Sequence, residues 1–362
     1  VSRGLRAALF LAAGLVLGAA GWEALENLSL VPFLWSSPPE PRGRARNGAY
    51  EVVSAGAAVV ELGARAVTLR AWAPSMRAAV TPLQGAPITV TIQNLPRRAR
   101  LGAAPGVSER VSGSDRVLSG PDAARWEFHY DLSRDDLRFA VVGDTGASRT
   151  FEQALRTAAG LEADFAVVVG DLAYSDRDIP RLRALLTAAP LPVYVGRGNH
   201  DYASGARRDF IGPLAPPYYA FAFGGAAFVV LDTGREFLPG LGVDSGQHEW
   251  LRRTLADPLG SPVFVFMHKP PLRRHPEAFG HAMWDRPYAR ALVRDFERAG
   301  VRMVFAGHLH EHDTWERRGV TYVITGEGKT PRAGRPQMAV VDVQAGIAHL
   351  RFVPIWPEGP QS

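Results

Sequence analysis

No cysteine occurs among the 362 residues, which removes disulfides, thiolate metal sites and thiol nucleophiles together. Any metal must then be held by His, Asp, Glu, Asn or Tyr. Those harder ligands suit Fe, Mn or Zn better than a soft ion. A strong charge of either sign is also missing: 41 Lys and Arg stand against 36 Asp and Glu, a formal +5. The arginines are scattered rather than massed beside aromatic platforms, which argues against a nucleic-acid groove. No internal repeat of about 20–50 residues is present. What the chain does have is apolar content, 46%, enough to bury a core. Its length accommodates one large domain and a smaller one, or two medium ones.

Arg3 and Arg6 precede AALFLAAGLVLGAAGW, residues 7–22. A positive segment before an apolar one is an export pattern, and the small residues at Gly18–Ala20 suit a signal peptidase. The run has 16 residues, short of the roughly 20 that span a bilayer. A cleaved signal and a retained anchor are both compatible with it, and an ordinary helix is the bland alternative. Export predicts a periplasmic, extracellular or outward-facing membrane-anchored protein, touching a membrane only through residues 1–22 if these are uncleaved.

Residues 23–48 read as a linker, the proline-, glycine- and arginine-rich SSPPEPRGRARNG above all. From 49 to 132 short β-like runs such as VTLRAWA (67–73) and ITVTIQNL (88–95) alternate with turns. They predict a small all-β sandwich, fibronectin-like or similar. From Leu137 the texture changes. LRFAVVGD, FAVVVGD, LPVYVGRGNHD, VFVFMHKPP and VRMVFAGHLHEHD are apolar runs that end in polar clusters. Helix-like segments lie around 148–160, 178–189, 246–257 and 284–299, and strands alternating with helices predict an α/β domain over 137–353. Gly224-Gly225 marks a hairpin. VTYVIT (320–325) and QMAVVDV (337–343) add closing strands, and 354–362 is a tail.

The polar clusters are Asp144, Asp171, Asn199-His200, His268 and His308-x-His310. Ligand sites of α/β sheets gather at the carboxyl ends of strands, so these groups are expected to converge on one crevice. Taken together, GD…GD…GNHD…H…GHLH resembles the calcineurin-like metallophosphoesterases over roughly residues 137–353. The resemblance implies a four-layer α/β/β/α sandwich and a two-metal site.

One departure is informative. Most of that family reads Asp-x-His at the first motif, whereas here GDTG places Gly146 where the His would stand. The purple acid phosphatase branch has Gly there and a Tyr three residues after the second-motif Asp. GDTG, GDLAY, GNHD, VFMH and GHLH match that branch step by step, so the resemblance implies a Tyr174 phenolate on the first metal. Charge is consistent with this. Two divalent ions with two Asp and a bridging hydroxide keep one net positive charge. A phenolate cancels it, and a trivalent ion restores it. A hard anionic oxygen also favours a hard ion, so Fe(III) is expected beside a divalent Fe, Zn or Mn.

Carried over residue by residue, the resemblance places Asp144, Asp171, Tyr174 and His310 on the trivalent ion. Asp171 bridges to the second ion, which Asn199, His268 and His308 complete. Gly143, Gly170, Gly198 and Gly307 suit backbone turning sharply near ions. The expected reaction is hydrolysis of a small-molecule phosphate monoester by a metal-bound hydroxide, acid phosphatase-like, with no specific nucleic-acid partner. The resemblance places His200 beside the substrate, as proton donor to the leaving group or as an oxyanion stabiliser, oriented by Asp201, although Asp201 as a turn former is the alternative. His275, His281 and His312 are weaker substrate contacts, and Arg149 or Lys269 could hold phosphate. Two rivals stand beside this reading: a phosphodiesterase on the same scaffold, acting on nucleotides or phospholipid head groups, and a cell-surface binding protein with a vestigial metal domain.

Overall fold

The computed structural model describes residues 40–83, 88–102, 104–120, 125–131, 136–236, 245–274, 282–326, 328 and 335–355. The export segment 1–22, His275 and His281 lie outside the described residues.

Among the described residues, ten strands occupy the first part: β1 (Arg44–Arg46), β2 (Tyr50–Ala55), β3 (Ala57–Leu62), β4 (Ala66–Ala71), β5 (Met76–Pro82), β6 (Ile88–Gln93), β7 (Arg100–Leu101), β8 (Ser108–Ser112), β9 (Asp115–Gly120) and β10 (Trp126–Asp131). They form two five-stranded sheets, β1-β2-β5-β10-β7 and β3-β4-β6-β9-β8. Strict alternation explains the pairing of the two. In β6, Ile88, Val90 and Ile92 are buried while the threonines between them are half-exposed. They meet Tyr50, Val52, Trp126 and Phe128 from the other sheet in one core. The linker reading needs one correction. Residues 44–46 are an edge strand, paired antiparallel with β2 in the register Arg44↔Val53.

The rest is a mixed α/β unit. Its strands are β11 (Leu137–Val142), β12 (Phe165–Val169), β13 (Val193–Gly196), β14 (Tyr219–Phe223), β15 (Ala226–Val230), β16 (Val263–Met267), β17 (Met303–Ala306), β18 (His312–Arg317), β19 (Val320–Thr325), β20 (Gln337–Gln344) and β21 (Ile347–Pro354). Its helices are α1 (Arg149–Gly160), α2 (Ile179–Thr187), the short α3 (Asn199–Tyr202), α4 (Gly205–Ile211), α5 (Ser245–Ala256) and α6 (Arg286–Ala299). The sheets run β13-β12-β11-β20-β21 and β14-β15-β16-β17-β19-β18. β11, β12 and β13 are parallel, as are β15, β16, β17 and β19.

Two sheets packed face to face need strands apolar on both sides, which is why the runs read as unbroken Val, Phe and Ala. Within β15 and β16 the faces separate with period two. Phe228, Val230, Phe264 and Phe266 enter the core between the sheets, while Val229 and Val265 face the cluster that contains α5 and α6. Phe139 of β11 lies edge-on to Phe228 at 5.3 Å, joining the sheets. On the far side, α1 buries Phe151, Ala154, Leu155 and Ala158, a stripe at helical spacing. The layers are therefore helix, sheet, sheet, helix.

The all-β part grips the first of these sheets from below. Asn94 pairs with the backbone of Val193 through both ends of its amide: Nδ2 donates to the carbonyl at 3.1 Å, and Oδ1 accepts the N–H at 2.8 Å. Arg98 donates to Asp164 Oδ1 at 2.6 Å and to Asp136 Oδ2 at 3.0 Å. Val193, Asp164 and Asp136 stand at the amino ends of β13, β12 and β11.

Candidate metal centre

The opposite ends of those strands carry the polar clusters. Asp144 follows β11, Asp171 follows β12 and Asn199 follows β13. From the second sheet, His268 follows β16, and His308 and His310 follow β17. The structure brings oxygen and nitrogen atoms of Asp144, Asp171 and His268 within 4.8 Å of one another, all three residues buried.

Backbone strain marks the place. Asp144 (φ 55°), Asp171 (φ 53°), His308 (φ 69°) and His310 (φ 51°) all occupy the left-handed region. Four such non-glycine residues in one small volume are costly, on the order of 1–3 kcal/mol each, and persist where the surroundings over-determine them. This revises the reading of the motif glycines as sharp turns. Of the four, Gly170 has a positive φ (91°). Gly198, at φ −104°, instead allows close approach. A β-carbon there would lie 2.1 Å from Asp171 Oδ1, and one at Gly307 would lie 2.5 Å from Asp144 Oδ2.

On one side, His310 Nε2 is 3.3 Å from Asp144 Oδ1 and 3.0 Å from the Tyr174 hydroxyl. The Asp144 carboxylate also accepts the His308 N–H at 2.8 Å. Gly146 sits at φ 53°, where a histidine would be strained, and its N–H donates to the Asp171 carbonyl at 3.0 Å.

On the other side, the acceptors outnumber the hydrogens. His268 Nδ1 donates to the Val169 carbonyl at 2.9 Å. In a neutral ring that leaves Nε2 as a lone pair. Yet Nε2 faces Asn199 Oδ1 at 2.9 Å and Asp171 Oδ1 at 3.4 Å. Three acceptor atoms converging without a hydrogen between them fit a cation. A ring nitrogen fixed by a backbone carbonyl is also the usual way to aim an imidazole at a metal. The His308 ring lies 5.0 Å from that of His268. Burial disfavours the Asp171 charge, but its electrostatic attraction to His268, His200 and His308 and the His200 N–H outweighs this, so its carboxyl sits below the ordinary range.

His200 is at the margin. Its Nε2 is 3.9 Å from Asp171 Oδ2 and its ring centroid 4.4 Å from that of Tyr174. Asp201 takes the turn-forming role rather than that of a His200 partner. Its oxygens accept the N–H groups of Gly198 at 2.8 Å, Leu172 at 2.9 Å, Asp171 at 3.0 Å and Ala173 at 3.3 Å. Burial and the Asp171 charge push its pKa up to about 7, against the pull of those donors.

The remaining expectations divide. His312 Nε2 lies 3.0 Å from Gln337 Nε2, and its ring is 5.5 Å from that of Phe352. Lys269 is no phosphate holder: it is fully buried and donates to the Glu236 carbonyl. Arg149 is exposed on the first turn of α1. Two contributors escaped the sequence reading. Thr233 Oγ1 accepts the N–H groups of His268 at 3.1 Å and Lys269 at 2.8 Å. It ends the run VVLDT after β15, the same signal that marked the other strand ends. Arg207 of α4 holds the Tyr174 carbonyl at 2.8 Å, and nothing in its spacing announces that contact.

Comparisons with known proteins agree with this geometry. The model of the calcineurin-like phosphoesterase family matches residues 137–312. The chain is 26% identical over 242 residues to the probable purple acid phosphatase 20 of Arabidopsis thaliana, covering 58% of this chain and 56% of that protein. It is 29% identical over 181 residues to the serine/threonine-protein phosphatase CPPED1 of Danio rerio, covering 44% of this chain and 58% of that protein. The chain thus spans little more than half the length of these relatives. Among solved structures, the purple acid phosphatase PPD1 of yellow lupin (Lupinus luteus) shares the fold with a TM-score of 0.52 at 13% identity, over 78% of this chain and 70% of that one. Residues 137–312 match the calcineurin-like phosphoesterase family, and the purple acid phosphatase relatives support that branch of it.

Proposed function

We propose that the protein hydrolyses phosphate monoesters at a binuclear centre of Fe(III) and a divalent Fe, Zn or Mn. The observation that carries this reading is the Tyr174 hydroxyl 3.0 Å from His310 Nε2, which is itself 3.3 Å from Asp144 Oδ1. A phenol beside a carboxylate and an imidazole, with glycine at position 146, is a donor set for a hard trivalent ion. Asp144, Asp171, Tyr174 and His310 would hold that ion. Asp171, Asn199, His268 and His308 would hold the second. The relatives' names support phosphatase chemistry.

When bound, such an ion pair supplies Lewis acidity to phosphoryl oxygens and lowers the pKa of water. The protein's own residues do the rest. His268 and Asn199 present lone pairs aimed by the Val169 carbonyl and by α3. His200, with its side chain 15% exposed, is open to substrate and donates a proton to the departing ester oxygen. Asp201 keeps the second- and third-motif loops in register, so that Asp171 and Asn199 face the same point. Export of the chain belongs to the same proposal and rests on the basic and apolar segment at residues 3–22.

Metal analysis with a visible spectrum tests the reading. Iron is expected with a phenolate charge-transfer band, and Tyr174→Phe is expected to abolish the band. A colourless, iron-free, active enzyme would refute the assignment. Comparing p-nitrophenyl phosphate with bis-p-nitrophenyl phosphate across pH tests the ester class, and faster cleavage of the diester would overturn the monoester reading.

A further inference from the structure

The loop that carries Tyr174 has no helix or strand between Val169 and Asp176. Its peptide groups therefore need other partners, and the structure shows where they go. The N–H groups of Tyr174 and Ser175 donate to Asp178 Oδ2 at 2.9 and 2.8 Å. On the other side, Arg207 reaches back from α4. Its Nη1 donates to the Tyr174 carbonyl at 2.8 Å and to the Ala173 carbonyl at 3.4 Å. Its Nε donates to Asp176 Oδ1 at 3.1 Å and to Ser204 Oγ, the cap of its own helix, at 3.2 Å. Arg207 is itself 8% exposed.

We propose that Arg207 is a positioning residue for the Tyr174 phenol, fixing the peptide plane from which the ring is aimed at His310. The proposal rests on the reading of Tyr174 as a metal ligand. Three of its four acceptors belong to residues 173–176, and the fourth caps α4. The guanidinium thus ties the loop after β12 to the helix that follows the GNHD motif. A phenol oxygen stands at the far end of a long rigid side chain, so a small tilt of the Tyr174 peptide is magnified there. A histidine ligand, with a shorter reach, would need less backbone control. The forked, planar guanidinium suits a task in which two carbonyls and a carboxylate must be met at fixed angles.

The test uses the full chain loaded with Fe(III) and Zn(II), comparing wild type with Arg207→Met, Asp176→Asn and Tyr174→Phe. Four quantities are read: iron per chain, the charge-transfer band, the thermal midpoint, and kcat and KM on p-nitrophenyl phosphate. Arg207→Met is expected to shift and weaken the band and to lower iron content. It should also cut kcat by about 10- to 100-fold, the scale of a misplaced catalytic group, while KM stays nearly constant. Asp176→Asn touches a side chain that is 54% exposed, so it should fold normally and show the same band shift to a smaller extent. If Arg207→Met fails to fold, Asp176→Asn carries the decision. A wild-type band and iron content in both variants, with the band lost in Tyr174→Phe, would overturn the positioning role alone. A band that persists in Tyr174→Phe would overturn the ligand reading, and this proposal with it.

Discussion

A methyl group at position 198 would sit 2.1 Å from Asp171 Oδ1 and 2.3 Å from the Asp171 nitrogen. Neither neighbour can yield, because Asp171 is buried and its N–H is held by Asp201. Gly198→Ala should therefore weaken metal binding by about 10- to 100-fold, the scale of a disturbed supporting shell. A chelator competition titration measures it, and unchanged affinity would show that the two loops can part. Thr233→Val is a subtler case. It leaves the buried N–H groups of His268 and Lys269 without their shared acceptor, at a cost of about 1–3 kcal/mol for each orphaned donor. Urea unfolding of the metal-free chain reads that loss apart from metal binding. The sequence showed which residue types would cluster, because strand-end polar groups stand out against apolar runs. It did not show which glycines turn and which merely make room. A sequence carries no φ, and the left-handed residues of the centre proved to include two aspartates and two histidines beside Gly146 and Gly170.

At the level of elements, legibility followed the range of the interactions. Helices announce themselves locally. Ser148 caps α1 through the Phe151 N–H at 3.0 Å, Asp285 caps α6 through the Tyr288 N–H at 2.9 Å, and Gly300 at φ 65° ends α6. The helix bounds read from the sequence accordingly lie within about two residues of those observed. β1 was missed because its pairing with β2 is all that makes it a strand, and its burial pattern is that of a surface segment. Asp201 belongs to this scale as well, since it joins the loop after β12 to the turn before α3. Asp201→Asn replaces an acceptor oxygen with an amide that confronts N–H groups. It should destabilise the protein by about 3 kcal/mol and weaken metal binding. Equal urea midpoints for variant and parent would show that the four backbone contacts are dispensable.

Taken whole, the molecule has its β part fastened to the amino ends of β11, β12 and β13, the strands whose other ends supply Asp144, Asp171 and Asn199. Arg98→Ala removes the ion-pair partner of Asp164, whose side chain is 3% exposed, and should cost about 2 kcal/mol. The expected sign in calorimetry is a broadened or split transition as the two parts uncouple. A single sharp transition at the parental temperature would show that Arg98 contributes nothing to the junction. None of this was visible in the sequence, because Asn94 read as part of the β run ITVTIQNL and Arg98 carried no signal of its own. The centre itself adds to the packing and hydrogen bonds that join the two sheets, since its donors come from both. Each bound ion therefore works as a rivet through the sandwich. Chelation should open the seam at that rim, with amide exchange rising first around residues 268 and 308, and occupancy at 1,000 times the dissociation constant would restore about 4 kcal/mol. Scarcity of the ion would then shorten the life of the protein as well as silence it, since a chain emptied of its cations becomes the better substrate for proteases.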